Sequence, residues 1–207
     1  MANNYTLDNT IPLAPLKIAA LDSCRSLAES VDQYIVNFRK NDMERLKDKW
    51  IGPDYRGYNR ESYLLDLHCA RFGSGEAKCV LNESVRGTDV FAMVDVTNYS
   101  MTYSICGHTN HMSPDDHYQD LKRLICAAST AHRINVIMPF LYESRQHKRT
   151  HRESLDCASA LEELVSMGVS NIIAFDAHDP RVQNAIPLKG FDNIMPTYQF
   201  IKALLRS

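Results

Sequence analysis

The second half of the chain alternates between two hydrophobic periods, and this constrains the fold more than any other feature. Ser113-Pro114-Asp115-Asp116 has the form of a helix start, with a serine N-cap, proline at the first position and acids in the first turn. Leu121, Leu124, Ile125 and Ala128 carry that helix to about residue 132. Ile134–Met138 is a strand of the buried type. Leu155, Ala158, Leu161, Leu164 and Val165 mark the next helix, and Gly168 suits its end. Ile172–Phe175 is a further strand, and a last helix over about 196–206 begins at Pro196. Helix, strand, helix, strand, helix predicts an α/β domain with a mainly parallel sheet and right-handed crossovers.

The first half adds to this frame. Leu16–Ala20 is a short apolar run before Asp22-Ser23, which reads as a strand and then a cap. Leu27, Val31, Tyr34, Ile35 and Phe38 recur at helical spacing, so about 24–39 is an amphipathic helix. Residues 40–60, with Trp50, Gly52, Pro53 and Gly57, read as a loop or short-helix region. Three strand-like runs follow, Tyr63–His68, Lys78–Asn82 and Val90–Val96. Turn signals at Gly73-Ser74-Gly75 and Arg86-Gly87 enclose the second run and predict a hairpin or flap. Residues 97–112 read as a loop.

Composition narrows the function classes. With 207 residues, 23 Lys plus Arg and 25 Asp plus Glu, the formal net charge is -2. Such a balance gives no reason to expect a nucleic-acid or membrane surface. No apolar run approaches the ~20 residues that cross a bilayer, and the polar start MANNYTLDNT is unlike a signal peptide. The six cysteines form no CxxC pair and read as reduced thiols of a cytoplasmic protein, each packing as a small hydrophobe.

In parallel sheets, ligands sit beyond the carboxyl ends of the strands. This singles out Asp22, Asp95 to Asn98, Tyr142 to Arg149, and Asp176 to Asp179. Two of these ends are chemically loaded. Phe140–Glu153 holds Arg145, Lys148, Arg149 and Arg152 with His147 and His151, against only Glu143 and Glu153. Such a loop suits a phosphate chain, gripped by guanidinium forks and a lysine point charge. From composition alone, the alternative of a solvated basic loop or an oligomer contact stands beside it. Asp176-Ala177-His178-Asp179 offers carboxylates and imidazole that can hold a divalent cation. The same residues can be a turn acid beside a hydrogen-bonded histidine. Neither segment is a Walker A loop, a GxGxxG fingerprint, a GxSxG elbow or an HExxH pair.

Four stretches carry a resemblance to a known family. Residues 72–76 are Phe-Gly-Ser-Gly-Glu, residues 82–91 are NESVRGTDVF, residues 138–153 are MPFLYESRQHKRTHRE, and residues 174–184 are AFDAHDPRVQN. In order and spacing these resemble the N-terminal half of ribose-phosphate pyrophosphokinase, the phosphoribosyl-pyrophosphate synthetase family. The resemblance covers most of 16–206 and leaves Lys40–Ser62 poorly matched. It implies a three-layer phosphoribosyltransferase-like domain over 16–207, with helices on both sheet faces and a β-hairpin flap; residues 1–15, polar and with Pro12 and Pro15, read by themselves as a tail or irregular arm.

The family transfers the β,γ-diphosphoryl group of ATP to the C1 hydroxyl of ribose 5-phosphate, releasing AMP. The resemblance thus implies ATP as substrate, Mg2+ as cofactor, and a homo-oligomer, dimer or hexamer. It puts Arg145 at the ATP phosphates and flanking the base, with Gln146 beside it. It puts His178 at the magnesium and triphosphate, joined here by Asp179. Phe72 would stack on adenine and Glu76 would hydrogen-bond it, in a neighbouring subunit's site. The chain departs from the family at Ser74, where the flap has an acid, and at His147, where Asp follows the Arg-Gln pair. Ala177 replaces a leucine and Asp179 an alanine.

The ribose-side elements of the family, an acidic loop running into Thr-Gly residues and a mobile basic loop, have no counterpart here. The expectation is therefore the ATP-side domain of a longer two-domain enzyme, inactive alone. A non-catalytic regulatory relative and a generic nucleotide- or phosphate-binding module are the alternatives.

Overall fold

The computed structural model describes residues 12–45 and 57–206. The polar arm expected at 1–15 lies outside them up to residue 11, and the loop expected at 40–60 lies outside them over 46–56. In chain order the first elements are β1 (Leu16–Ala20), α1 (Arg25–Arg45), β2 (Leu67–Arg71), β3 (Ala77–Leu81) and β4 (Asp89–Met93). Then come β5 (Thr102–Ile105), β6 (His108–His111), α2 (Pro114–Ala127), β7 (Arg133–Met138) and α3 (Asp156–Ser166). The last are β8 (Val169–Phe175), β9 (Gly190–Ile194) and α4 (Thr197–Leu204).

Five strands form one parallel sheet in the order β1-β4-β7-β8-β9. Side chains alternate across it, so each strand feeds two cores. Ala19, Val90, Ala92, Val136, Ile172 and Ala174 pack one face against α2 (Leu121, Leu124, Ile125) and α3 (Cys157, Leu161, Leu164). Ile18, Ala20 and Met93 pack the other face against Ala28 and Val36 of α1. Each fully buried leucine contributes about 1.5–3 kcal/mol, so the α2–α3 face carries most of the apolar burial. The expected α/β architecture, a mainly parallel sheet with helices on both faces, is the one observed.

The helix boundaries follow local chemistry. The Ser113 hydroxyl accepts the Asp116 N–H and the Asp116 carboxylate accepts the Ser113 N–H, closing a capping box at α2. Gly168 follows α3 at φ 97°, where a side chain would be strained.

Several expectations need correction. The strand expected at Tyr63–His68 starts later, at Leu67, and residue 64 only bridges to Ile18. Helix α1 runs on to Arg45, because Lys40–Arg45 contains no helix breaker. Its buried row is Ala28, Asp32 and Val36, whereas Leu27, Tyr34 and Phe38 are exposed. Asp32 turns that row inward: its carboxylate accepts the Tyr63 N–H (2.7 Å) and the Ser62 hydroxyl (2.9 Å). The loop expected at 97–112 contains a hairpin, β5–β6. Cys106 (φ 49°) and Gly107 (φ 84°) make its two-residue turn, with positive φ at both positions. Strand β9 was not anticipated: GFDNI is an edge strand with few apolar residues to signal it.

Candidate functional site

The loop after β7 is pinned so that its cations face outward. The Tyr142 ring stacks on Tyr118, with centroids 4.3 Å apart and planes 6° off parallel. The Tyr142 hydroxyl donates to Asp115 at 2.6 Å. Glu143 turns the chain in the left-handed region at φ 55°, and the Gln146 N–H donates to the Glu143 carbonyl at 2.8 Å. The Cys157 N–H donates to the Gln146 carbonyl, tying the loop to α3. Arg145 is left exposed on the rim of a 440 Å³ cleft that also takes in Thr97, Tyr99 and Phe140. Lys148, Arg149 and Arg152 are exposed as well. Burial, followed by the charges of Asp156 and Asp115, pushes the Glu143 carboxyl above the usual glutamate range.

The loop after β8 is turned by another left-handed residue, Asp176, at φ 47°. Its path is fixed by the Asp176 N–H donating to the Ile194 carbonyl (3.0 Å) and the Ala177 N–H donating to Asn193 Oδ1 (2.9 Å). Non-glycine residues at such φ are uncommon, and here two of them sit at adjacent strand ends, where strain collects at functional sites.

The Asp179 carboxylate caps the turn that follows, accepting the Arg181 N–H at 2.9 Å. It is gripped by the Arg181 guanidinium, with Nη2 to Oδ2 at 2.6 Å and Nε to Oδ1 at 3.0 Å. The Arg181 side chain, then its backbone N–H, hold the Asp179 carboxyl well below the usual carboxylate range. His147 Nε2 lies 3.3 Å from Asp179 Oδ2. The His147 ring meets the His178 ring edge-on, centroids 5.2 Å apart. His147 Nδ1 is buried without a hydrogen-bond partner, while His178 is exposed. His147 thus joins the two loops.

The donor set fits magnesium sparingly. No three His, Cys, Asp or Glu side chains converge on a metal position among the described residues. Magnesium takes one or two protein ligands and completes its shell with water and phosphate oxygens. His178 is open to such a contact, whereas the Asp179 oxygens are engaged by Arg181 and His147.

The flap residues lie apart from both loops. Phe72, Ser74 and Glu76 occupy the tip of the β2–β3 hairpin, where the Phe72 N–H donates to the Glu76 carbonyl (2.8 Å) and the Gly75 N–H to the Phe72 carbonyl (2.9 Å). The Ser74 hydroxyl donates to Glu76 Oε2 at 2.9 Å, and the Phe72 ring is 49% exposed. The second hairpin braces this tip: the Cys106 N–H donates to the Gly73 carbonyl at 3.0 Å. Ile105 lies where a Cβ on Gly75 would meet it at 3.1 Å.

Arg145, Gln146, His178 and Asp179, expected from the sequence, lie on adjacent loops. His147, expected only as a departure from a motif, joins them, whereas Arg181 and the brace at Cys106 are not expected from the sequence. Only the acid-to-arginine spacing of Asp179 and Arg181 could have signalled the pair.

A parallel sheet with cationic and imidazole side chains on its carboxyl-end loops makes the chain an α/β domain, a class whose ligands sit at those strand ends. The particular family is shown by its model, described as the N-terminal domain of ribose phosphate pyrophosphokinase, which matches residues 16–168; the chain belongs to that family. A ribose-phosphate pyrophosphokinase of Parasynechococcus marenigrum is 29% identical over 118 residues, 56% of this chain and 31% of that protein. One of Vibrio parahaemolyticus is 29% identical over 138 residues, 65% of this chain and 39% of that protein. The matched region thus spans well under half the length of these relatives. The crystal structure of phosphoribosylpyrophosphate synthetase from Mycobacterium smegmatis shares the fold with a TM-score of 0.65 and 19% identity, covering 92% of this chain and 51% of that one. No helix among the described residues is long and apolar enough to cross a membrane.

Proposed function

We propose that the chain is the ATP-side half of a magnesium-dependent diphosphotransferase that makes phosphoribosyl pyrophosphate and AMP from ATP and ribose 5-phosphate. One observation carries this reading: His147 links the two strand-end loops while Arg181 neutralises Asp179, leaving Arg145, Lys148 and Arg149 exposed and positive. Catalysis of phosphoryl transfer is mostly positioning and charge neutralisation. Arg145 grips the triphosphate with its planar fork and lies beside the base, with Gln146 next to it. His178 would sit at the magnesium and triphosphate, and Asp179 keeps His147 beside it. When bound, Mg2+ supplies charge neutralisation on the phosphate oxygens.

Phe72 and Glu76 serve the adenine of a neighbouring subunit, which makes the working protein a homo-oligomer, dimer or hexamer, in the cytoplasm. Ribose 5-phosphate binds mainly to a second domain, so this chain by itself does not turn over.

The test is calorimetric titration of the purified chain with MgATP, alongside Arg145→Ala and His178→Ala. The expected result is binding to the parent chain and loss in both variants. Unchanged binding in both would overturn the site. A coupled assay showing AMP release dependent on ribose 5-phosphate would overturn the claim that the chain alone is inactive.

A regulatory relative is the second reading, favoured by Ser74 and by the engagement of Asp179 with Arg181. The longer protein assayed with magnesium and phosphate separates the two, since turnover excludes a purely regulatory role.

A further inference from the structure

The sequence shows no cysteine pair at motif spacing, yet the fold puts two of the six cysteines face to face. Cys69 on β2 is the direct cross-strand partner of Cys79 on β3. The bonding pattern fixes which kind of pair this is. Phe72 and Glu76 are joined by a backbone hydrogen bond, as are Asp66 and Asn82. Bonded and non-bonded pairs alternate along an antiparallel ladder. Counting inward from either end, residues 68 and 80 form a bonded pair, and Cys69 and Cys79 a non-bonded one. At such positions the Cα atoms are about 4.5 Å apart and the side chains lean together, inside the separation a disulfide accepts.

The two thiols act on one another: the Cys79 neighbour, with burial adding to it, holds the Cys69 thiol up, and the Cys69 neighbour draws the Cys79 thiol down. Both are only half-buried, and Cys69 lines a 110 Å³ cavity beneath the hairpin. The other four do not combine these features: Cys24 and Cys157 are buried, and Cys106 and Cys126 are exposed.

We propose that Cys69 and Cys79 are a thiol–disulfide modification site, at which a low-molecular-weight disulfide closes a covalent bridge across the root of the flap. The Cys79 thiolate attacks one sulfur of the disulfide RSSR, forming a mixed disulfide and releasing RS⁻. The Cys69 thiol gives up its proton and attacks the Cys79 sulfur, expelling the second RS⁻. Two protein S–H bonds and one RSSR become one protein S–S bond and two RSH. The ring so formed contains Phe72, Ser74 and Glu76, and it fixes the pairing of the strands on either side of them. The inference concerns the hairpin alone and stands whatever the flap binds.

Glutathione disulfide is the probe, applied to the whole chain. The expected product has lost two of its six titratable thiols, weighs less by two hydrogens, and yields a peptide cross-linked between Cys69 and Cys79. Amide exchange over the flap should slow, and dithiothreitol should reverse both changes. Cys69→Ser should trap glutathione on Cys79, while Cys79→Ser should leave Cys69 as a free thiol. A stable glutathione adduct on the parent chain at either residue would overturn the proposal. So would a bridge to Cys106 or Cys126, an unreacted pair, or a bridged flap whose amides exchange at the original rate. The mapping on the parent chain decides the matter even if a serine variant fails to fold.

Discussion

The two ends of the parallel sheet treat charge in opposite ways. At the amino ends, charged groups are buried and paired. Asp89, the first residue of β4, accepts Arg133 Nε at 2.9 Å and Asn135 Nδ2 at 2.8 Å across the β4–β7 pair. Lys17, only 3% exposed, is bonded to Glu83. At the carboxyl ends, Arg145, Lys148 and Arg149 point to solvent, the backbone is in the left-handed region at Glu143 and Asp176, and the buried acid Asp179 is neutralised from within its own turn. The amino ends thus hold the sheet in register, and the carboxyl ends carry exposed cations, the groups to which the proposed function assigns an anion. The difference can be broken by mutation at either end.

Asp89→Ala should produce the largest effect on folding. It leaves Asn135, which is 4% exposed, with only a long contact from Nδ2 to the Val90 carbonyl (3.4 Å), and leaves the half-exposed Arg133 without its fork partner. A loss of about 2–3 kcal/mol is expected for a buried group left unsatisfied, measured by urea unfolding, with MgATP affinity of the folded fraction unchanged. Arg145→Ala should do the reverse. MgATP affinity should fall about tenfold or more, equivalent to about 1.4 kcal/mol, while unfolding stays within about 0.5 kcal/mol of the parent. If Asp89→Ala weakened nucleotide binding as much as it weakened folding, the division between the ends would fail. Ser113→Ala is smaller still. It opens the capping box beside Pro114, which lines the Arg145 cleft, and should cost about 1 kcal/mol of stability in the same unfolding assay.

How far the sequence foretold this arrangement follows from where hydrophobic burial dictates structure. Val136, Leu161, Leu164 and Ile172 are fully buried, so their spacing announced the parallel α/β core. Strand β9 and the β5–β6 hairpin bury little and gave no such signal, although Cys106-Gly107 demands a turn once its positive φ values are known. Site chemistry was legible where like residues cluster, as in Arg145 to Arg149. It was not legible where partners meet across the fold. His147 with His178, and Cys69 with Cys79, are contacts between segments that no local pattern links. Asp179 invited reading as a metal ligand because its grip by Arg181 depends on the turn's geometry, not on residue type.

Glu143 gives the finest test of the comparison, because it is an acid on the same loop as the exposed cations, yet it faces other acids. Its folded carboxyl sits above the ordinary range, chiefly through burial and then through Asp156 and Asp115. A raised carboxyl means that the native state binds the proton more tightly than the unfolded chain does. Stability is therefore lower with Glu143 ionised, and it is regained as pH falls through the folded value toward the unfolded value near 4.5. Glu143→Gln keeps the shape and removes the charge. It should stabilise the chain at neutral pH by no more than about 0.5 kcal/mol, given how much water reaches the loop. The gain should shrink as the parent protonates and vanish below pH 4.5 in paired urea titrations. A gain that persists there would mean that the carboxylate charge is not what burdens the loop, since glutamate and glutamine are equally disfavoured in the left-handed turn.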